Sequence, residues 1–307
     1  MSTPATSSPP PQHLPWVPAA AFVVVWSSGY IAGPAAVHAA APFNVLGWRF
    51  VLAAVIGALL ALTLGRPFRM SRQTLGRVAG VGLVMNALQF GMMYVAFDLG
   101  LGATVSSMFH ALSPVLTAIL AALVLHERLS WVQVAGFVTG VVGVLVVLGA
   151  DLGHVGGPLA VALGALSVLT LSLGTLGQRW IGGSPDLLWS ATIQFAVSAP
   201  PLLFIGWVTE GFWPVLDPGK AVVSVLYLAI INSILGLVLL ALLVLRGGSG
   251  AAASLFFLAP PVTAVLAWLV LGETLGPRQV VGLVITMVGV GAATHSRRRT
   301  VAEPSAV

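Results

Sequence analysis

With 307 residues, 58% of them hydrophobic and only 7% charged, the chain has too few charges to cover a water-soluble globule, in which roughly 25% are charged. The absence of cysteine excludes disulfides and thiolate metal sites. A formal charge of +5 does not point to nucleic acid, because the basic residues are scattered through short loops and not gathered on one face.

The chain opens with MSTPATSSPPPQH, rich in Pro, Ser and Thr and without apolar period, so residues 1–15 read as a disordered tail. No Lys or Arg precedes Arg49, which argues against a basic-headed signal peptide. Apolar runs between breakers then predict ten membrane-spanning helices, each near the roughly 20 residues a bilayer requires. Their limits are 16–37, 43–64, 76–98, 101–125, 131–149, 158–179, 186–207, 220–245, 249–271 and 277–295. The expected fold is therefore an all-α polytopic membrane protein, with tight turns at Gly100–Gly102 and Gly247–Gly250. Residues 297–307 read as a second tail. With a cytoplasmic N-terminus, ten arginines fall in inside loops or the tail; Arg49, Lys220 and Arg278 fall outside. That split obeys the positive-inside rule and puts both termini in the cytoplasm.

A shift of 146 residues aligns the two halves, 16–150 and 157–296. Asn86 falls on Asn232, Pro114 on Pro260, Thr117 on Thr263 and Glu127 on Glu273. Earlier in the halves the match is looser: WSSG at 26–29 lies near LSLG at 171–174, at an offset of 145. Five helices per copy is an odd number, so the second copy enters the membrane inverted. Inverted five-helix repeats suit a secondary transporter, since similar halves of opposite sense allow one shape open to each side.

Several segments resemble the EamA-type drug/metabolite transporters. They are WSSGYIAG in the first span, APFNVLGWRFVLAA in the second, LSPVLTAILAALVLHERLSWVQVAGFVTGVVGVLVV across the fourth and fifth, and LAPPVTAVLAWLVLGETLGPRQVVGLVITMVGV in the second half. The resemblance implies a ten-helix, two-repeat carrier, often an exporter of amino acids or other small metabolites. It also implies a central cavity lined mainly by spans 1, 3, 4, 6, 8 and 9. Two residues depart from the family pattern. His110 stands where an apolar or small residue is usual, and Pro34 stands where a lysine is frequent.

His110 lies near the middle of the fourth span, where an ionisable group is costly and marks a functional hypothesis. It is a candidate for substrate binding and proton coupling; a neutral imidazole joining helices is the competing reading. Asn86 and Asn232 offer donors and acceptors to a polar substrate or serve as helix glue, and Gln89 sits on nearly the same face as Asn86. Trp26 and Tyr94 are deep enough to face a cavity. The uncharged inventory favours amino acids or neutral metabolites over phosphorylated sugars. Arg49, six residues into the second span, is expected to snorkel to the headgroups; its match to the family motif also leaves a gating role open. Pro114 and Pro260 interrupt their helices at matching places and are candidate hinges.

The stretch LVLHERLSWVQVAG opens like a zinc-protease H-E-x-x-H helix, but Ser130 stands where the second histidine belongs. Its repeat, LVLGETLGPRQVVG, keeps the glutamate and drops the histidine. Glu127 and Glu273 are thus expected to cap the helix that follows each, or to act as gate contacts. Ser106 or Ser107 with His110 would be the only nucleophile–base arrangement for a hydrolase, and no buried carboxylate orients it. No cofactor or metal is expected. The expected partners are the lipid bilayer, a small-molecule substrate, protons where transport is proton-coupled, and a second copy in a homodimer.

Overall fold

The computed structural model describes residues 15–125, 130–150, 152–182, 185–211 and 215–302. Among them, nine helices are long and apolar enough to cross a membrane: α1 (Trp16–Val37), α2 (Pro42–Thr63), α3 (Arg72–Asp98), α4 (Ala103–Val124), α5 (Trp131–Leu148), α6 (Gly157–Gln178), α7 (Leu187–Thr209), α8 (Pro218–Arg246) and α10 (Pro277–Thr294). The shorter apolar helix α9 (Leu255–Leu271) completes the bundle. The chain is an all-α, multi-pass membrane protein.

Local chemistry sets the helix starts. Ser71 accepts a hydrogen bond from the Thr74 amide at the head of α3, and Ser130 and Gln133 form a reciprocal capping box on α5. Asp186 accepts from the Leu188 and Trp189 amides to start α7. Asp217 does the same for α8 through the Lys220 amide, with Pro218 supplying a first residue that needs no donor. That amide bond, seconded by the Lys220 side chain, holds the Asp217 carboxyl below the usual carboxylate range.

Two boundaries differ from the sequence expectation. Helical backbone runs on from α8 through Ser254, past the glycines where a turn was expected, and from α10 through Ala302, into the stretch read as a tail. Glycine and serine are poor helix formers, but in lipid a continuous helix satisfies their backbone groups locally.

The repeat is visible as reciprocal contacts. α5 crosses α10 so closely that glycines stand at the contact: Gly136 lies against Gly289, and Gly143 against Gly282. These are the two repeat-related pairs with partners exchanged. The Thr286 hydroxyl donates to the carbonyl of its own mate, Gly140 (3.3 Å), so the pseudo-two-fold axis passes between them. Small residues that let backbones approach are the usual device of such crossings in lipid.

A second reciprocal pair ties the broken helices. α4 is interrupted at Leu112 and resumes at Ser113; α9 begins with a 3-10 turn, Leu255–Leu258, before its α-helical part. Ser27 of α1 donates to Ala259 O (3.3 Å), and Ser172 of α6 donates to Ser113 O (3.2 Å). Pro114 and Pro260 follow those carbonyls directly. Both prolines therefore sit in the first turn of a fresh helical segment, not inside a continuous kinked helix, and their missing N–H costs little there. The symmetry extends to backbone irregularity. α3 carries a π-helical stretch at Leu83–Leu88 and α8 one at Leu228–Leu235, and each contains its half's asparagine. π-bulges inside helices occur frequently at functional sites.

Candidate functional site

Between the halves lies a cavity of about 460 Å³, within the range of roughly 300–1,000 Å³ usual for small-molecule sites. Trp26, Asn86, Gln89, Tyr94, His110 and Asn232 all line it. A smaller hollow of about 160 Å³ lies between α2 and α8 and is walled almost wholly by apolar side chains.

His110, half-buried in the last turn before the α4 break, is held from three helices. Its Nδ1 pairs with the Tyr30 hydroxyl (2.8 Å), and its Nε2 lies 3.2 Å from both Gln89 Nε2 and Ser167 Oγ. Ser167 spends its own proton on Gly164 O (2.7 Å), so it presents a lone pair to the imidazole. A neutral ring with its proton on Nε2 donates to Ser167 and accepts from Tyr30 only with the Gln89 amide turned so that its oxygen faces the ring, because Gln89 Nε2 can donate only to an unprotonated ring nitrogen. A second proton on Nδ1 requires in addition that the Tyr30 O–H rotate away. The helix-joining contacts are thus present; a doubly protonated ring would need the Gln89 amide oxygen, not its nitrogen, toward Nε2.

Arg49 corrects two expectations. It does not snorkel: it is 3% exposed. Its Nε donates to Ser233 Oγ (3.1 Å), Nη1 to the Tyr94 hydroxyl (3.0 Å) and Nη2 to Asn232 Oδ1 (3.4 Å). The Phe90 ring stacks on its guanidinium with the centroid at 4.6 Å. Six residues into α2, the side chain points between helices and not along the lipid face, so desolvated partners outcompete the headgroups. The cavity is therefore not uncharged, because Arg49 lines it. No Asp or Glu lines it among the described residues.

The two asparagines differ. Asn232 donates to Val25 O (2.7 Å) and accepts from Arg49, which ties α8 to α1 and α2. Gly29 is what allows this, since a Cβ there would sit 2.6 Å from the Asn232 amide. Asn86 is buried, lines the cavity and has no side-chain hydrogen bond among the described residues.

Two glutamates of the second half cap helices of the first. Glu273 accepts from the Ala103 amide (2.9 Å), the Thr104 amide (3.4 Å) and the Thr104 hydroxyl (3.0 Å). It thus caps α4, not the α10 that follows it, which corrects the sequence expectation. The cause is local. Gly272 takes a left-handed φ of 68°, and the Glu273 amide folds back onto Ala267 O, a glycine C-cap that turns the carboxylate away from α10. Glu210 does the same for α2, accepting from the Phe43 amide (2.8 Å), the Asn44 amide (3.0 Å) and Asn44 Nδ2 (2.9 Å). Glu210 was not among the expected site residues, although it stands after an apolar span just as Glu273 does. Glu127 and His126 lie outside the described residues. Toward the arginine-rich end the cavity walls are Gln178, Leu187, Ser190 and Gln194.

The hydrolase arrangement is not formed. Ser106 Oγ donates to Gly102 O (2.9 Å) and Ser107 Oγ to Thr104 O (2.7 Å), so both hydroxyls are spent on their own helix and neither meets His110. Among the described residues no group of three or more His, Cys, Asp or Glu is placed to hold a metal ion.

Comparison with known proteins agrees with this architecture. The chain is 28% identical over 280 residues to the "Probable amino-acid metabolite efflux pump" of Salmonella typhimurium, covering 87% of this chain and 90% of that protein. It is 27% identical over 298 residues to the "Probable terminal-alkyne amino-acid exporter" of Streptantibioticus cattleyicolor, covering 92% and 95%. It is 26% identical over 272 residues to the "Uncharacterized transporter YvbV" of Bacillus subtilis, covering 88% of each. A solved structure described only as "Crystal structure of protein" shares the fold, with a TM-score of 0.64 at 19% identity over 92% of this chain and 97% of that one. The EamA-like transporter family matches residues 16–149 and 158–294, nearly the whole membrane-embedded chain, and the protein belongs to that family.

Proposed function

We propose that this chain, a secondary transporter by family and not an enzyme, exports amino acids or similar small polar metabolites. It does so across the bacterial inner membrane by alternating access, with both termini in the cytoplasm. The observation that carries this reading is the cavity between two repeat-related halves, an apolar pocket set with a few polar side chains, whose walls run to Gln178, Leu187 and Ser190 at the arginine-rich end. On the opposite side Glu210 and Glu273 of the second half cap α2 and α4 of the first. The positive-inside rule supports the arginine-rich end as cytoplasmic, which makes this conformation the inward-facing one. The names of the two curated exporters point to the same substrate class. Asn86, Gln89, Trp26, Tyr94 and His110 line the substrate path. The breaks before Pro114 and Pro260 are the hinges, and His110 carries the proton where transport is proton-coupled.

The test is flux. Vesicles containing the purified protein and preloaded with a panel of labelled amino acids and small metabolites should release at least one compound faster than empty vesicles. If no compound in a broad panel moves in either direction, the export reading fails.

A further inference from the structure

We propose that Arg49 is the anchor for a carboxylate on the transported molecule, and that an amine is not required. The substrate class is then small carboxylates with an apolar or aromatic body, of which amino acids are one subset. This deepens the transport reading above and rests on it.

The argument begins with an unbalanced charge. Arginine stays protonated inside proteins, and Arg49 is almost wholly removed from solvent. Its three acceptors, Ser233, Tyr94 and Asn232, are all neutral. A guanidinium has five N–H donors in a planar fork, so two remain without a partner. Among the described residues, no carboxylate lies within ion-pair distance of it. A buried cation without a counter-charge is costly, and structures that keep one hold it for a purpose.

The surroundings indicate which purpose. The Phe90 and Phe50 ring centroids lie 4.6 and 5.4 Å from the guanidinium carbon, and the side chain borders the cavity. The fork geometry matches a carboxylate bidentately. An ammonium group entering the same cavity would find no carboxylate on the described walls, only amide carbonyls and ring faces. The cavity therefore favours negative charge and gives an ammonium group no counter-charge. Asn86, unpaired on the same lining, supplies a second set of donors. The remainder of the wall includes Trp26, Met85, Met93, Phe97 and Phe195, which suit an apolar or aromatic body.

Thermal unfolding of the purified full chain in detergent tests this with four probes: phenylpyruvate, phenylalanine, phenylalanine methyl ester and phenethylamine. The two acids should raise the unfolding midpoint, while the ester and the amine should bind about tenfold or more weakly. In Arg49→Gln the acid-induced shift should vanish, and Arg49→Lys should keep part of it. A purely structural arginine would lower the midpoint of the unliganded variant and leave the acid-over-ester preference intact, which would overturn the proposal. So would equal binding of ester and acid to the unsubstituted protein, or no binding of either acid. Should Arg49→Gln fail to fold, the acid–ester comparison on the unsubstituted chain and Arg49→Lys still decide. Exchange of labelled phenylalanine, phenylpyruvate and phenethylamine across vesicle membranes separates the two readings. Acids that bind but never cross remove transport and leave the anchor; amines that cross with no dependence on Arg49 leave transport and remove the anchor.

Discussion

Arg49 has no charged counterpart in the second half, where Gln194 and Phe195 stand at offsets of 145 and 146; opposite Gln89, Tyr94 and His110 stand Leu235, Leu240 and Phe256. The backbone around these positions is nevertheless matched. Each half has a π-helical stretch containing an asparagine, a break before a proline, and a serine that bonds the carbonyl at that break in the other half. Phe195 stacks on Phe50 and Phe256 packs edge-on against Trp26, and the second half brings neutral polar groups such as Gln178, Gln194 and Asn232 to the cavity but no ionisable side chain. The contrast separates two requirements. Alternating access needs two exchangeable backbones; recognition of one small molecule needs only one set of ionisable groups. Symmetry is kept where movement needs it and lost where chemistry does not.

The glycine seam offers the strongest way to break the backbone side of this comparison. Valine at Gly143 would meet Thr286 and the Gly282 carbonyl (2.6 Å from an added Cβ), and valine at Gly289 would meet the Gly136 carbonyl (2.7 Å). Overpacking of this kind costs about 1–3 kcal/mol. Because Gly143 and Gly289 are repeat mates, their unfolding midpoints should fall by similar amounts; a large loss at only one of them would show that the seam is not a shared device.

Glu273→Gln comes next in size. Removing the charge from a helix N-terminal cap costs about 1–2 kcal/mol and should favour the state open at that end. The chain has no cysteine, so a single Phe97→Cys probe, buried on the cavity wall one residue before the end of α3, reports cleanly. Labelling by an impermeant maleimide from that side should rise in the Glu273→Gln background. Unchanged labelling would show that the cap is only a helix stabiliser.

Much of this architecture was legible in the sequence, because a bilayer imposes length and apolarity on every span. The halves announced themselves through Asn86/Asn232, Pro114/Pro260 and the glycines of α5 and α10. Tertiary direction was not legible. Nothing local says that Arg49 turns inward, since a guanidinium six residues into a span can reach headgroups or neighbours equally well. The Glu273 carboxylate stood next to α10 in sequence but found the α4 N-terminus in space, because a glycine C-cap turned it. Glu210 and Ser233 were missed for the same reason: their partners lie about 170 and 180 residues away.

The chemical side of the comparison can be sharpened at His110. If this ring carries the proton, His110→Gln keeps a hydrogen-bonding group toward Tyr30 and Ser167 but cannot titrate, so the pH dependence of transport should flatten. Phe256→Leu, at the repeat-related position, should leave the shape of the pH profile unchanged. A profile unaltered in His110→Gln would reduce the histidine to a helix contact.

The smallest expected effect tests the weakest part of the repeat. WSSG and LSLG aligned only loosely, one residue out of register with the rest, yet Ser27 and Ser172 make the same bond to the carbonyl before each proline. Hydrogen bonds between helices in lipid average about 0.6 kcal/mol, so Ser27→Ala and Ser172→Ala should each lower stability slightly and alike. Their true signal is kinetic. Each serine holds one α4 or α9 break against a helix of the opposite half, and in an alternating cycle the two breaks exchange roles. Loss of either bond should therefore alter exchange across the vesicle membrane in both directions by a similar factor. An effect confined to Ser172→Ala would place the working hinge at the α4 break beside His110, and would mean that the symmetry of the backbone is not matched by symmetry of movement.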